Sequence, residues 1–436
     1  KEPLIPEGTI LKGSPVAKTS TDKFGSTVWT LKNGIKVVVK PTDFKADELR
    51  ISAKALGGAS LVANEDIYTA SLVDMTIEQS GIGKFKATDL QKQLAGKDVG
   101  FSFSMDDYTA TGSGTCSPKD IEIQLQLMWL YFNAPRWSEE DFNVLMDMLA
   151  TQLKNVESNP MYTFQKEYNK TLYNDNPRRG MMGLAELEKV EFAKMPELFK
   201  TVYGNAADFT FTFVGNIDPA TLKPLVEKYI GSLPTASQPT NVYTDDNVDY
   251  AKGGVVNDFR TKMEQPKVSV FFAYTGDMAA TMKNKLVATY LTTALDNRYL
   301  KSIREEKGGT YGVGVSAALL PRTKEYALQV QFDTNEQMAD ELMAIVVAEL
   351  EKIAKEGPLK EDMDKTREYE NKNYTKSIEQ NSWWSNAILY KYRYGIDYVK
   401  EYLDAVNSVT AADVQALAQQ ILKDGNLVKV VMRPEK

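Results

Sequence analysis

Arg304 and Tyr311 stand seven positions apart in "SIREEKGGTYGVGVS", residues 302–316, on either side of Gly308 and Gly309. A guanidinium stays charged at any pH a protein meets and offers its donors in a fixed fork, and a phenol O–H can donate to the same acceptor. The two together suit a peptide carbonyl whose oxygen gains charge as it is attacked. Each alone has a plainer account. Arg304 falls near the C-terminal end of a predicted helix whose apolar residues include Leu291, Leu295, Tyr299 and Ile303, where a cation complements the helix dipole. An aromatic residue opening a strand is commonly packing. Gly312 and Gly314 weaken a strand and are usually explained by the close approach of some other backbone. The glycine run is not a phosphate cradle: it lacks the G-x-x-x-x-G-K-[ST] pattern and leads into a strand, where a phosphate site wants a helix N-terminus.

Composition narrows the chemistry available around that pair. The 436 residues include no histidine and one cysteine, Cys116. A catalytic zinc takes about three protein ligands, usually with imidazole or thiolate among them, so this segment is expected to bind none. No D-x-D-x-D loop offers calcium a cage. A serine hydrolase would need a G-x-S-x-G elbow and a histidine relay, and neither exists here. A single cysteine allows no internal disulfide and fits a small buried hydrophobe. The net charge of −7, with both signs interspersed, argues against a nucleic-acid partner. Apolar runs are too short to span a bilayer.

The elements that must position the pair come from period and punctuation. "STVWTLKNGIKVVVKPTDF" reads as a β-hairpin turning at Asn33-Gly34, both tolerant of positive φ. A third strand runs from Glu48 to Leu56, a helix from Ile67 to Gln79, and a shorter helix from Ala87 to Leu94. Helices follow from Pro118 onward, one of them with a capping box at Ser138 and Asp141. "DFTFTFVGNIDPATLKPLVEKYIGSLP" is strand, turn and helix. The second half repeats this order: strands at Gly254–Phe259 and Lys267–Tyr274, a long helix near Ala280–Ile303, strands at Tyr311–Leu319 and Glu325–Phe332, several helices and a closing strand in "NLVKVVMRP". Two similarly ordered α+β units imply an internal duplication. The expected division is a linker at 1–25 arriving from a missing upstream half, a first α+β domain at 26–234, a linker at 235–250 and a second domain at 251–436. Trp383-Trp384 and the tyrosines at 390, 392 and 394 have helical spacing that favours core packing over a peptide-lined chamber.

The phrases "LKNGIKVVVKPTDFKADELR", "FTFVGNIDP" and "REEKGGTYGVGVS", with the Arg304 to Tyr311 spacing, resemble the pitrilysin/insulinase metallopeptidases, or inverzincins, over nearly the whole chain. The likeness is greatest to the C-terminal, non-catalytic half of long bacterial zinc proteases. It implies two tandem homologous domains of the pitrilysin/LuxS-like metallohydrolase type, each a mainly antiparallel sheet packed with helices. In that family H-x-x-E-H on a helix, with a more distant glutamate, binds zinc and activates water. Here Ala70, Val73 and Asp74 stand at the motif's histidine, glutamate and histidine positions, and Glu157 near the distant ligand's place has no histidines with which to complete a zinc set. The resemblance therefore implies a division of labour. Zinc would sit in an absent catalytic half, covalently joined upstream or a separate subunit, while this half closes over a peptide substrate and presents Arg304 and Tyr311. It also implies export to a bacterial periplasm. A different class, a scaffold that keeps the fold and has lost proteolysis, would have no need of the pair.

Overall fold

A computed structural model describes residues 2–236, 242–310 and 312–436. The chain forms two compact units, each assembled from three separated stretches: Lys1–Gln152, Leu184–Asp246 and Lys376–Val399 in the first, and Leu153–Gly183, Asn247–Thr375 and Lys400–Lys436 in the second.

The first unit is built on seven strands, β1 (Val16–Thr21), β2 (Thr27–Leu31), β3 (Lys36–Pro41), β4 (Leu49–Leu56), β5 (Ser102–Met105), β6 (Thr109–Cys116) and β7 (Thr210–Gly215), in the order β1-β2-β3-β7-β4-β6-β5. The β2–β3 hairpin turns where expected. Gly34 takes φ 92°, and the Asn33 side chain accepts the Ile35 N–H at 3.1 Å. β1 lies inside the span read as a linker and pairs antiparallel with β2. Its residues are almost all exposed, so it carries none of the apolar alternation by which a strand is recognised.

Cross-strand register sorts the side chains of this sheet. Val37 and Val39, Phe211 and Phe213, and Ile51 and Ala53 are opposite one another on one face. The alternate residues, including Lys36, Val38 and Lys40 with Thr210, Thr212 and Val214, fall on the other. Onto that second face packs the helix Asn381–Tyr394, placing Ile388 and Trp384 against Phe24, Val28, Val38 and Val214. Lys40 lies over the Trp384 ring at 4.3 Å, and Tyr392 donates to Asp22 at 3.0 Å. The aromatic residues at 384 and 392 are thus packing residues.

The second unit holds β8 (Val255–Thr261), β9 (Val268–Asp277), β10 (Gly314–Leu320), β11 (Glu325–Thr334) and β12 (Asn426–Pro434) in the order β10-β11-β9-β12-β8. One face is covered by the helix Pro160–Leu172, started by the Asn159 side chain. Phe164 and Leu172 join Phe271, Ala273, Val430 and Met432 in a core cluster, and Tyr168 stacks on Phe271 at 4.4 Å. Elsewhere in this unit the helix Met282–Tyr299 packs against β10, Ala339–Glu356 and Ala411–Asp424.

Five strands of the first sheet recur as the whole of the second. β3-β7-β4-β6-β5 and β8-β12-β9-β11-β10 have the same order, with β3·β7 and β8·β12 parallel and every other pairing antiparallel. The fold is mixed α/β and duplicated. Each sheet takes one covering helix from the opposite half of the sequence: 381–394 on the early sheet, 160–172 on the late one.

Candidate functional site

Arg304 is carried on a helix whose placement is fixed at both ends. Thr281 caps the start by accepting the Asn284 N–H at 3.1 Å. Near the other end Leu291, Leu295, Tyr299 and Ile303 are all buried, and the Tyr299 hydroxyl donates to Val346 O at 2.8 Å. The last turn, Leu300–Glu305, widens into a π-helix, a feature often found at functional positions. Arg304 sits in that turn. Its side chain is exposed and has no hydrogen bond or ion pair to another described residue.

The bend that follows is tied down. Gly308 N–H returns to Arg304 O at 3.0 Å, Lys307 pairs with Glu341 at 2.7 Å, and Thr334 Oγ1 donates to Gly309 O at 2.7 Å in a buried bond. A Cβ at Gly309 would stand 2.7 Å from Leu342 Cδ1, so packing keeps that position small. Beside the bend opens a cleft of about 950 Å³, walled by Gly309, Gly312, Gly314 and the end of β11 from Phe332 to Thr334. Tyr311 lies outside the described residues. The sequence marked the glycines. It gave no signal for Phe332–Thr334, whose part in the wall depends on register.

The segment holding Ala70, Val73 and Asp74 occupies the matching position in the first unit, after β4 as the Arg304 helix comes after β9. Here the helix is broken into Ile67–Ser71 and Val73–Ser80 around Leu72. Ala70 and Val73 are buried apolar groups. Asp74 accepts the Tyr203 hydroxyl at 3.0 Å, and one turn on Glu78 accepts the Tyr131 hydroxyl at 2.9 Å. Phe103 packs on both tyrosines. Burial pushes the Asp74 carboxyl up to about 6, the Tyr203 hydrogen bond partly opposing it and the Glu78 charge adding to it. Glu78 is raised too, again chiefly by burial of its carboxyl end, although the residue reaches the surface. Among the described residues no three His, Cys, Asp or Glu side chains gather to hold a metal. These residues do not fit a zinc ion: two carboxylates, each accepting from a phenol, offer no imidazole and no third ligand. The i,i+4 spacing of Asp74 and Glu78 was visible in the sequence; the tyrosines that meet them were not.

The geometry is that of a duplicated mixed α/β fold with an exposed arginine beside a cleft in the second repeat. Residues 189–369 match the family model described as Peptidase M16 inactive domain. The chain is 24% identical over 386 residues to a PQQL-like zinc protease of Arabidopsis thaliana, covering 85% of this chain and 38% of that protein. Its fold superposes on the periplasmic protease PqqL of Escherichia coli with a TM-score of 0.87 at 18% identity, over 100% of this chain and 48% of that one. It also superposes on the first half of that same PqqL, with a TM-score of 0.71 at 11% identity, over 97% of this chain and 93% of that half. The match to the M16 inactive domain is thus confined to residues 189–369, the chain as a whole is similar to PqqL and PQQL-like zinc proteases, and it spans less than half the length of those relatives. Among the described residues no helix is long and apolar enough to cross a membrane.

Proposed function

We propose that this chain is the non-catalytic half of a zinc metallopeptidase. A catalytic half bearing H-x-x-E-H, in the same longer chain or in a separate subunit, would hold the zinc that activates water. This half would close the chamber over a peptide and hold its carbonyl with Arg304 and Tyr311. The relatives' names as zinc proteases, and a fold shared with the first half of PqqL, support a two-half enzyme. The periplasmic PqqL supports the same compartment for this protein.

The observation that carries the reading is Arg304 itself. It is an exposed cation with no described partner, on a π-turn anchored by Tyr299 and four residues before a glycine-walled cleft. A scaffold has no use for a rigidly mounted, unpaired guanidinium at that spacing from a tyrosine. Measured in the intact two-half enzyme, Arg304→Ala and Tyr311→Phe should each lower kcat/KM, a lost oxyanion donor being worth about 3 kcal/mol. Zinc content and thermal unfolding should not change. Wild-type turnover by both variants would sink the clamp.

A further inference from the structure

One face of the first sheet carries cations that the fold does not use. Directly opposite residues share a face, so Lys36 and Lys40 of β3 and Arg50, Ser52 and Lys54 of β4 lie on the side covered by the helix Asn381–Tyr394. The two β3 lysines are engaged. Lys36 lies over the Tyr392 ring at 5.2 Å, and Lys40 donates to Phe24 O at 2.6 Å. Arg50 and Lys54 are not. Both are half-buried, and neither has an ion pair or hydrogen bond with a described residue. Arg50 Nε is sealed from solvent without a partner. Burial lowers the Lys54 pKa, and Asp106, whose charge opposes that, is turned to the β5–β6 bend. There its Oδ1 accepts the Tyr108 and Thr109 N–H groups at 2.9 and 2.6 Å.

The duplication supplies a comparison. β9 holds the place of β4 in the second sheet and turns Phe271 and Ala273 to its own covering helix, clustered with Phe164 and Leu172. The architecture thus accepts apolar side chains where β4 has a guanidinium and an ammonium. A charge withdrawn from water without a partner destabilises the chain that carries it, so two on one strand point to an anion from outside.

The surroundings suit carboxylates. Opposite Arg50, Ser52 and Lys54, β6 brings Thr115, Ser113 and Thr111, and β5 beyond it adds the exposed Ser102 and Ser104. Arg393 of the covering helix reaches the same row, its Nη1 donating at 2.8 Å to Thr210 Oγ1, opposite Lys54. In a chain of net charge −7 this strip is a local reversal of sign. Arg50 and Lys54 are four strand residues apart, about 13 Å. One phosphate cannot touch both, whereas side chains four positions apart on an extended polypeptide can.

We propose that Arg50 and Lys54 receive acidic side chains of an extended polypeptide lying over this face, with hydroxyls of β5 and β6 donating to the same carboxylates. The peptidase reading makes that polypeptide the substrate, and the inference rests on it; what it adds is a preference for Asp or Glu at about that spacing.

The intact two-half enzyme, its turnover stopped with the uncharged chelator phenanthroline, is titrated calorimetrically with a short Gly/Ser peptide bearing two glutamates four positions apart, and with its glutamine twin. The glutamate peptide should bind at least about tenfold more tightly, the effect of one charge-assisted contact, and the gap should narrow as salt is raised. Lys54→Gln and Arg50→Gln should each shrink that preference without weakening the glutamine peptide. Neither variant should melt below wild type, since each removes an unpaired charge; Lys54→Met, which keeps the stem, decides the matter if glutamine disturbs the sheet. Equal affinities for the two peptides, or folded variants that keep the preference, overturn the inference. So does saturable binding of inorganic phosphate where the glutamate peptide does not bind, which would make this a small-anion site. The two readings fail separately. Unchanged kcat/KM in Arg304→Ala removes the clamp and leaves the acidic preference standing, whereas a loss in Arg304→Ala beside equal peptide affinities removes only the preference.

Discussion

Thr334 Oγ1 donates to Gly309 O at 2.7 Å, joining the end of β11 to the bend that follows Arg304. The bond is buried, so it fixes the spacing between the arginine turn and the cleft wall. Thr334→Val keeps the shape and strands the carbonyl, which should cost about 1 to 2 kcal/mol. The expected signature is local: faster amide exchange across residues 308 to 310, and a larger loss in kcat/KM of the intact enzyme than the small drop in melting temperature explains. Unchanged exchange there would show that the bend is held by its other contacts.

Asp74 should make stability depend on pH in an unusual direction. Its folded carboxyl titrates at about 6, above its ordinary value, so between about pH 4 and pH 6 the folded protein holds a proton that the unfolded chain has released. Stability from this group is complete below that window and falls as pH rises through it, by at most roughly 3 kcal/mol for a shift of about two units. Asp74→Asn keeps a carbonyl acceptor for Tyr203 and removes the titration. Urea unfolding should find the variant no more stable than wild type near pH 4 and increasingly more stable toward pH 7. A gap that does not change with pH would rule out this role.

Trp384 holds the exchanged helix Asn381–Tyr394 to the first sheet. It meets Phe24 edge-on at 6.3 Å, lies under Lys40 at 4.3 Å and donates its indole N–H to Ile378 O at 2.7 Å. Half-buried rather than sealed in, it should cost about 2 kcal/mol on change to alanine. Exchange protection should drop first in β3 and β7, which carry Val38 and Val214 beneath the helix. Equal loss of protection across both sheets would mean that the helix is not a local cover.

Zinc should not stay with this 436-residue chain. The positions that the resemblance would align with a zinc motif hold Ala70, Val73 and a phenol-bound Asp74, and protein zinc sites need a fuller ligand set. After dialysis against micromolar zinc, elemental analysis should find well below one equivalent. Stoichiometric retention would contradict the division of labour proposed between the halves.

Much of this arrangement was legible in the residues. The Asn33-Gly34 turn, the apolar spacing of Leu291, Leu295, Tyr299 and Ile303, and the repeated order of strands and helices follow from local stereochemistry and period, which depend on near neighbours in the chain. The Arg304 to Tyr311 spacing and the Ala, Val and Asp at 70, 73 and 74 are likewise properties of the string, as is the absence of histidine.

Tertiary structure decided what local pattern cannot encode. Helices 160–172 and 381–394 each lie on the sheet from the opposite half of the sequence, a pairing that only packing decides. β1, polar and exposed, exists because β2 offers it an edge. Tyr131 and Tyr203 reach Glu78 and Asp74 across more than fifty residues of sequence. Among the described residues, β9 pairs with β11 through Thr334, whereas β10 meets it only up to Gln331. The sequence determined which groups this protein has to offer; the pairing of distant strands determined which of those groups stand side by side.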